Sequence, residues 1–105
     1  MYCLTVSYPK GEDTTFDHDY YRDTHIPLCQ RLFGEHGLRG TVIRTAEGKG
    51  PGTADLNHCS IDLLFDNAEG LQAALAAGGQ EVTADIANYT NARARMSFGE
   101  ISVAL

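Results

Sequence analysis

Residues 2–8 alternate in character, with Leu4 and Val6 on one face of an extended chain and Cys3, Thr5 and Ser7 on the other. A period of two is the mark of a strand. Pro9-Lys10-Gly11 closes it. The pattern then lengthens. In a helix over residues 16–36, Tyr21, His25, Leu28 and Leu32 follow offsets of four, three and four, so all four side chains fall on one stripe. Thr14 or Thr15 is placed to cap this helix, Asp17 and Asp19 suit its positive end, and Gly37 offers a left-handed stop. Pro27 lies inside it and predicts a bend, with the carbonyl of Asp23 left unpaired by the chain.

The branched residues Thr41, Val42, Ile43 and Thr45 predict a second strand over Leu38–Ala46. A glycine-rich loop spans 47–57. From His58 to Phe65 the alternation is at its cleanest: Cys59, Ile61, Leu63 and Phe65 share one face, His58, Ser60 and Asp62 the other. Asp66 and Glu69 resemble a capping pair for a second helix through Leu71, Leu75 and Ala76, which Gly78-Gly79 is expected to end. Val82, Ile86 and Tyr89 then stand at helical spacing. A last strand starts near Ala94, with Ala94, Met96 and Phe98 apolar on one side and then Ile101, Val103 and Leu105, a change of parity that predicts a bulge at Gly99-Glu100.

The order β-α-β-β-α-β makes the chain an α+β domain of the ferredoxin-like kind, with an antiparallel four-stranded sheet and both helices on one face. The other face, carrying Thr5, Ser7, Ser60 and Asp62, is left uncovered. Two such sheets packing face to face form a homodimer with a closed interior, a dimeric α/β barrel. At 105 residues the chain is a single domain, 1–105. A domain of this size has little room for a deep private cavity, and a second subunit supplies walls.

Composition narrows the partners. A net charge of −6 disfavours nucleic acid, which is held by clustered Lys and Arg. No apolar run is long enough for a membrane span, and the first residues lack a basic patch followed by an apolar stretch, so a cytoplasmic location is expected. Three cysteines, Cys3, Cys29 and Cys59, fit reduced thiols better than a disulfide framework.

The chemistry centres on His25. An imidazole titrates near neutrality, and on the apolar face of a helix burial favours its neutral, base-competent form. Tyr21, one turn earlier, is placed to orient the ring or to donate to a developing oxyanion. Leu28 continues the stripe as an apolar ligand contact. Asp62, facing the barrel interior, is a carboxylate that can orient a histidine, act as an acid or pair with an arginine of the other subunit. His58 stands on the same face. Each also has a structural reading, as a satisfied core or sheet residue. Metal binding is disfavoured: His25 and Cys29 can share an ion, but His18 lies about 10 Å from His25 along the axis. Cys29 has nothing cationic besides His25 to activate it. The Gly48–Gly52 loop lacks the Lys-Ser/Thr pair of a phosphate-binding loop. No cofactor is expected.

The run Phe16-Asp17-x-x-Tyr20-Tyr21-x-x-Thr24-His25-x-Pro27-Leu28 resembles the signature helix of the EthD family, small proteins of the dimeric α/β-barrel class. Leu4-Thr5-Val6-x-Tyr8-Pro9, Leu64-Phe65-Asp66 and Asp85-Ile86-x-Asn88-Tyr89-Thr90 are similar to that family's first strand, its approach to the second helix and its approach to the last strand. The resemblance implies a homodimer with helices outside and a pocket beside the sheet. Relatives on the same barrel include cofactor-free monooxygenases, lactone isomerases and polyketide cyclases. Two functions therefore stand side by side. One is a cofactor-independent enzyme, an isomerase or cyclase or a monooxygenase-like oxidoreductase, acting on a hydrophobic, aromatic or lactone-like metabolite with His25 moving the proton. The other is a non-catalytic carrier or accessory protein that serves a pathway enzyme.

Overall fold

A computed structural model describes residues 1–46 and 56–102. Four strands, β1 (Tyr2–Pro9), β2 (Leu38–Thr45), β3 (Asn57–Phe65) and β4 (Arg95–Glu100), form one antiparallel sheet in the order β2-β3-β1-β4. The helices cover one face. The first helical arm consists of α1 (His18–Tyr20), a π-helical turn (Tyr21–His25), α2 (Ile26–Phe33) and a 3-10 turn (Gly34–His36). The second is α3 (Ala68–Asp85), followed by a 3-10 turn (Ile86–Asn88). This is the ferredoxin-like α+β arrangement expected from the alternation of periods. No helix among the described residues is long and apolar enough to cross a membrane.

Strand parity is obeyed. Leu4, Val6 and Tyr8 of β1 and Cys59, Ile61, Leu63 and Phe65 of β3 are buried beneath the helices. Thr5 and Asp62 face the other way and bond to each other, Thr5 Oγ1 donating to Asp62 Oδ1 at 2.6 Å. The expected bulge at Gly99-Glu100 is absent. Cys3 pairs with Gly99 and Tyr2 with Glu100 in unbroken register, and Ile101 N–H donates to Met1 O just beyond. Val103 and Leu105, two of the three residues on which the change of parity rested, lie outside the described residues, as do residues 47–55 with the Gly48–Gly52 loop.

Two helix starts differ from expectation, each by a shift to a better-placed acceptor. Asp17, not Thr14 or Thr15, caps the first arm by accepting from Tyr20 N–H. Thr14 instead closes a turn with Gly11 and bonds His58 Nε2. Asn67, not Asp66, caps α3 by accepting from Gly70 N–H, which leaves Asp66 to pair with Arg39. Gly37 is the expected stop, with φ of 96°.

The conflict posed by Pro27 is met by the π turn. Ile26 N–H reaches back five residues to Tyr21 O, and Pro27 then occupies the first turn of α2, where a missing N–H is harmless. One residue added to a 3.6-residue turn rotates everything beyond it by about 100°. The inward stripe therefore runs Tyr21, His25, Ile26, Cys29 and Phe33. Leu28 and Leu32 are turned aside and remain half-buried.

Gly78-Gly79 does not end α3, which continues unbroken to Asp85. A Cβ on Gly78 would stand 2.9 Å from Leu32 Cβ, so glycine here marks the close approach of α2 and α3 rather than a stop. A Cβ on Gly79 would meet only Leu75 at an ordinary 3.6 Å. Opposite outcomes follow for adjacent residues. Gly78→Val should destabilise by about 1–3 kcal/mol through overpacking. Gly79→Ala should stabilise by roughly 0.5–1 kcal/mol through helix propensity. Urea denaturation of the two variants against wild type measures both.

Candidate functional site

His25 is 3% exposed and held at both ring nitrogens. Nδ1 lies 2.9 Å from Asp85 Oδ2, and Nε2 lies 3.2 Å from the hydroxyl of Tyr89. The Tyr89 hydroxyl in turn lies 2.7 Å from that of Tyr8. Asp85 Oδ1 accepts from Tyr20 Oη at 2.7 Å and from Asn88 Nδ2 at 2.9 Å. An ionised carboxylate only accepts, so Nδ1–H donates to Asp85 and Nε2 is left as the basic nitrogen. Tyr89 then donates to Nε2, and Tyr8 donates to Tyr89. The result is a continuous line, Asp85–His25–Tyr89–Tyr8, from the end of α3 through the first helical arm to β1.

Elements far apart in sequence meet here because the ends of the two helical arms are stitched together. Asp17 N–H donates to Tyr89 O, Thr90 Oγ1 donates to Thr15 O, and Phe16 bridges Thr90 as an isolated antiparallel pair. Aromatic rings fill the space around the line. Tyr21 stacks on the His25 ring at 5.4 Å and 18°, and Tyr89 meets that ring at 4.5 Å. Tyr8 packs edge-on against both Tyr21 and Tyr89.

The electrostatics follow from burial. Loss of water pushes the His25 pKa below its ordinary 6.5, and the bond and charge of Asp85 pull it up only in part, so the ring is neutral at pH 7. Burial pushes the Asp85 carboxyl up, but the hydrogen bonds from Asn88, Tyr20 and His25 outweigh it and hold the group below its ordinary value. Tyr8 is pushed up to about 12 by burial, and Tyr21 and Tyr89 are raised by the same cause. Both the phenols and the imidazole are thus neutral near pH 7, able to pass a proton rather than store charge.

A cavity of about 50 Å³ opens beside this line. Its polar lining comes from Tyr8, Tyr21, His25 and Thr83, and its remaining walls are mostly apolar, with Val6, Ile61 and Val82 among them. It reaches Gly79 and Thr83 of α3 and Met96 of β4. The volume holds a few waters or a very small molecule. At the other end, Asp85 borders a surface cleft of about 370 Å³ with Asp23 and Arg31, and its side chain is 13% exposed. The hydrogen-bonded line therefore spans the helical layer, from the buried cavity to solvent.

Not every expected residue is gathered here. Leu28 lines the outer cleft with Asp85, not the cavity, because of the rotation at the π turn. Asp62 lies on the opposite face of the sheet and can neither orient nor protonate His25. His58 is occupied by Thr14 and stacks on Phe16 at 17°. Cys29 lines the cavity, but burial pushes its thiol up to about 12, which removes it as a nucleophile. Tyr21 meets the imidazole through its ring face; the hydroxyl at Nε2 belongs to Tyr89. Among the described residues no group of three or more His, Cys, Asp or Glu side chains is arranged to hold a metal ion.

Sequence reasoning missed Tyr8, Tyr20, Asp85, Asn88 and Tyr89 as site residues. Signals existed. Tyr8 shares the parity of Leu4 and Val6, and Asp85 stands between Val82 and Ile86 on a segment whose apolar spacing is helical. Ending the second helix at Gly78-Gly79 hid the second signal by cutting Asp85 away from α3.

Comparison with known proteins agrees with this architecture. The family model described as "EthD domain" matches residues 9–93. An 11.0 kDa protein of Rhodococcus erythropolis, from the thcB-thcC intergenic region, is 27% identical over 99 residues, covering 93% of this chain and 92% of its own. The crystal structure of an EthD-like protein from Ralstonia eutropha superposes with a TM-score of 0.86 at 29% identity, covering 97% of this chain and 92% of that one. A protein from an uncultured marine organism, described as dimeric and ferredoxin-like, shares the fold with a TM-score of 0.63 at 13% identity, covering 100% of this chain and 98% of that one. With the family model spanning most of its length, from the end of β1 to the approach to β4, the chain belongs to the EthD family.

Proposed function

We propose that the protein binds a small hydrophobic metabolite, aromatic or lactone-like, between the helical layer and the sheet, and that His25 accepts a proton from it without a cofactor. The observation that carries this reading is the buried line Asp85–His25–Tyr89–Tyr8 beside an otherwise apolar cavity. A proton leaving a ligand C–H or O–H passes to the Tyr8 oxygen as Tyr8 gives its own to Tyr89 and Tyr89 gives its own to Nε2. The bonding electrons stay on the ligand as a carbanion or oxyanion. The imidazolium that forms is balanced by the Asp85 carboxylate. Isomerisation, cyclisation and carbanion oxidation all begin with this step.

The reading includes a homodimer. β4 is an edge strand with Met96 and Phe98 about half exposed, and Val42 stands exposed on the uncovered sheet face. Such an edge and face invite a second copy. Cys3, Cys29 and Cys59, none of them in a disulfide, suit the cytoplasm.

A second reading, the carrier or accessory protein, is favoured by two observations. Both nitrogens of His25 already have partners, and the cavity of about 50 Å³ is far smaller than a metabolite. On that reading the line is a structural clamp, and the pocket expands only to hold cargo for a pathway enzyme.

Proton exchange separates the two. Incubated in D₂O with a panel of phenols, β-dicarbonyls and unsaturated lactones, wild type should speed deuterium incorporation at an acidic position of at least one compound, read by NMR. His25→Gln should lower that rate by about 10²-fold or more, and Tyr8→Phe should lower it with the fold intact. A panel that binds but never exchanges, in wild type and variants alike, supports the carrier reading.

The neutrality of His25 has its own signature. Its folded pKa lies below the ordinary 6.5, so on acidification the unfolded chain takes up the proton first. The contribution to stability is complete above 6.5 and is lost as pH falls through 6.5 towards the folded value. His58, also lowered by burial, acts in the same window, so the comparison must be between variants. Urea midpoints between pH 7.5 and 5.5 should fall less steeply for His25→Gln than for wild type. Equal slopes would show that the ring does not lose water on folding.

A further inference from the structure

The two adjacent glycines of α3 do different things. Gly78 allows the close approach of α2 at Leu32. Gly79 has no such neighbour. It sits inside an 18-residue helix, its φ is not positive, and a Cβ placed on it would meet only Leu75, at an ordinary 3.6 Å. Glycine within a helix costs stability relative to alanine, and neither backbone nor packing requires it here. What the missing side chain leaves is room, because Gly79 is part of the wall of the cavity beside His25.

The same side of α3 and the turn after it supply the rest of that wall. Leu75, Gly79, Val82, Thr83 and Ile86 follow helical spacing along it. Thr83, one turn beyond Gly79, brings the one polar side chain of these five. It is exposed, and among the described residues its hydroxyl forms no hydrogen bond within the protein, so a donor stands available at the mouth of the cavity. The other polar groups of the lining, Tyr8, Tyr21 and His25, belong to β1 and the first helical arm. Thr83 is therefore on a different wall from the proton line, with the space at Gly79 beside it. Register puts this space on the helix side of the sheet, with Val6 and Met96, away from the open face that a second copy covers.

We infer that Gly79 and Thr83 select the substrate: Gly79 leaves space for one ring against α3, and Thr83 donates to its carbonyl oxygen, so that the substrate class is a single-ring ketone or lactone with an acidic α C–H. The inference rests on the proposed function and narrows the ligand that it leaves broad. An apolar cavity of roughly 150 Å³ takes up benzene. The cavity of about 50 Å³ must widen to admit one ring and has nothing to spare for two. In the proton transfer the α C–H bond breaks and the proton goes to the Tyr8 oxygen. The bonding pair moves through the α carbon to the carbonyl oxygen, where the Thr83 hydroxyl stabilises it. A hydrogen bond at an open mouth contributes modestly, a few-fold in affinity rather than orders of magnitude.

Acetophenone, its hydrocarbon shape analogue cumene and the fused-ring 2-acetylnaphthalene test this on the whole protein, by NMR titration. Acetophenone should shift the Val82 methyl and Tyr8 ring signals, and 2-acetylnaphthalene should bind more weakly despite its larger apolar surface. Gly79→Ala should weaken acetophenone about threefold while raising the urea midpoint, and Gly79→Leu should weaken it about tenfold or more. Opposite signs in affinity and stability distinguish a filled binding space from a damaged fold. Thr83→Val should weaken acetophenone about fivefold and leave cumene unchanged, and Thr83→Ser should restore the difference. His25→Gln should keep the dependence on Gly79 and Thr83 while losing deuterium incorporation at the acetophenone methyl, which separates this inference from the proton chemistry. No binding of acetophenone by wild type at millimolar concentration, an affinity indifferent to both Gly79 variants, or equal losses for acetophenone and cumene in Thr83→Val would overturn it. Deuterium exchange into other compounds that still depends on His25 would then leave the proton reaction standing.

Discussion

The contact on which the rest of the site depends is the hydrogen bond between His25 Nδ1 and Asp85 Oδ2. It joins the two helical arms beside the bond from Tyr20 to the same carboxylate. It also fixes the tautomer, which decides that Nε2 is basic and that the tyrosine hydroxyls donate towards it. A carboxylate and an imidazole so little exposed would be costly if either stood alone. Here each is satisfied: Asp85 accepts from three donors, and His25 is bonded on both sides. Removing one member would leave its partners unpaired under the helical layer, so the network holds together or fails together.

The π turn is the local device that makes this contact available. Without it, the stripe would continue to Leu28 and Leu32, and α2 would present those residues to the sheet. With it, His25 and Ile26 both face inward on consecutive positions, and the stripe resumes at Cys29 and Phe33. The histidine is thereby added to the apolar face without displacing an apolar residue from it. Pro27 helps to set the position of the turn, because it can start an α-helical segment but cannot continue one through its own missing N–H.

The strands and the inward direction of His25 were legible because both depend on short-range periodicity. Parity along residues 2–8 and 58–65 placed Leu4, Val6, Cys59, Ile61, Leu63 and Phe65 correctly under the helices, and Gly37 marked the turn into β2. What was not legible depends on chemistry between distant segments. Nothing local to Gly78 distinguishes a helix stop from a crossing point; the difference lies in Leu32, forty-six positions earlier in the chain. Asp66 and Asn67 are both plausible caps by type, and Arg39 decides between them by claiming Asp66. Asp62 looked like a partner for His25 because both were assigned to an interior. The sheet has two faces, one under the helices and one open, and parity puts Asp62 on the open one.

That division also explains why so small a protein can hold a proton line at all. A 105-residue domain cannot spare a large void in its single core, and the cavity of about 50 Å³ is what close packing tolerates. The polar groups of the line lie along one end of the helical layer, between residues 15–25 and 85–90, where hydrogen bonds among the chain ends replace apolar packing. The cavity adjoins that end and extends towards the thinly covered β4 edge. Space for a ligand is therefore cheapest to create between α3 and β4, where Gly79 presents no side chain and Met96 is held from one side only. Widening there moves one flexible side chain and leaves the His25–Asp85 clamp untouched, so the hydrogen-bonded line and the capacity to admit a ligand are carried by different parts of the same small core.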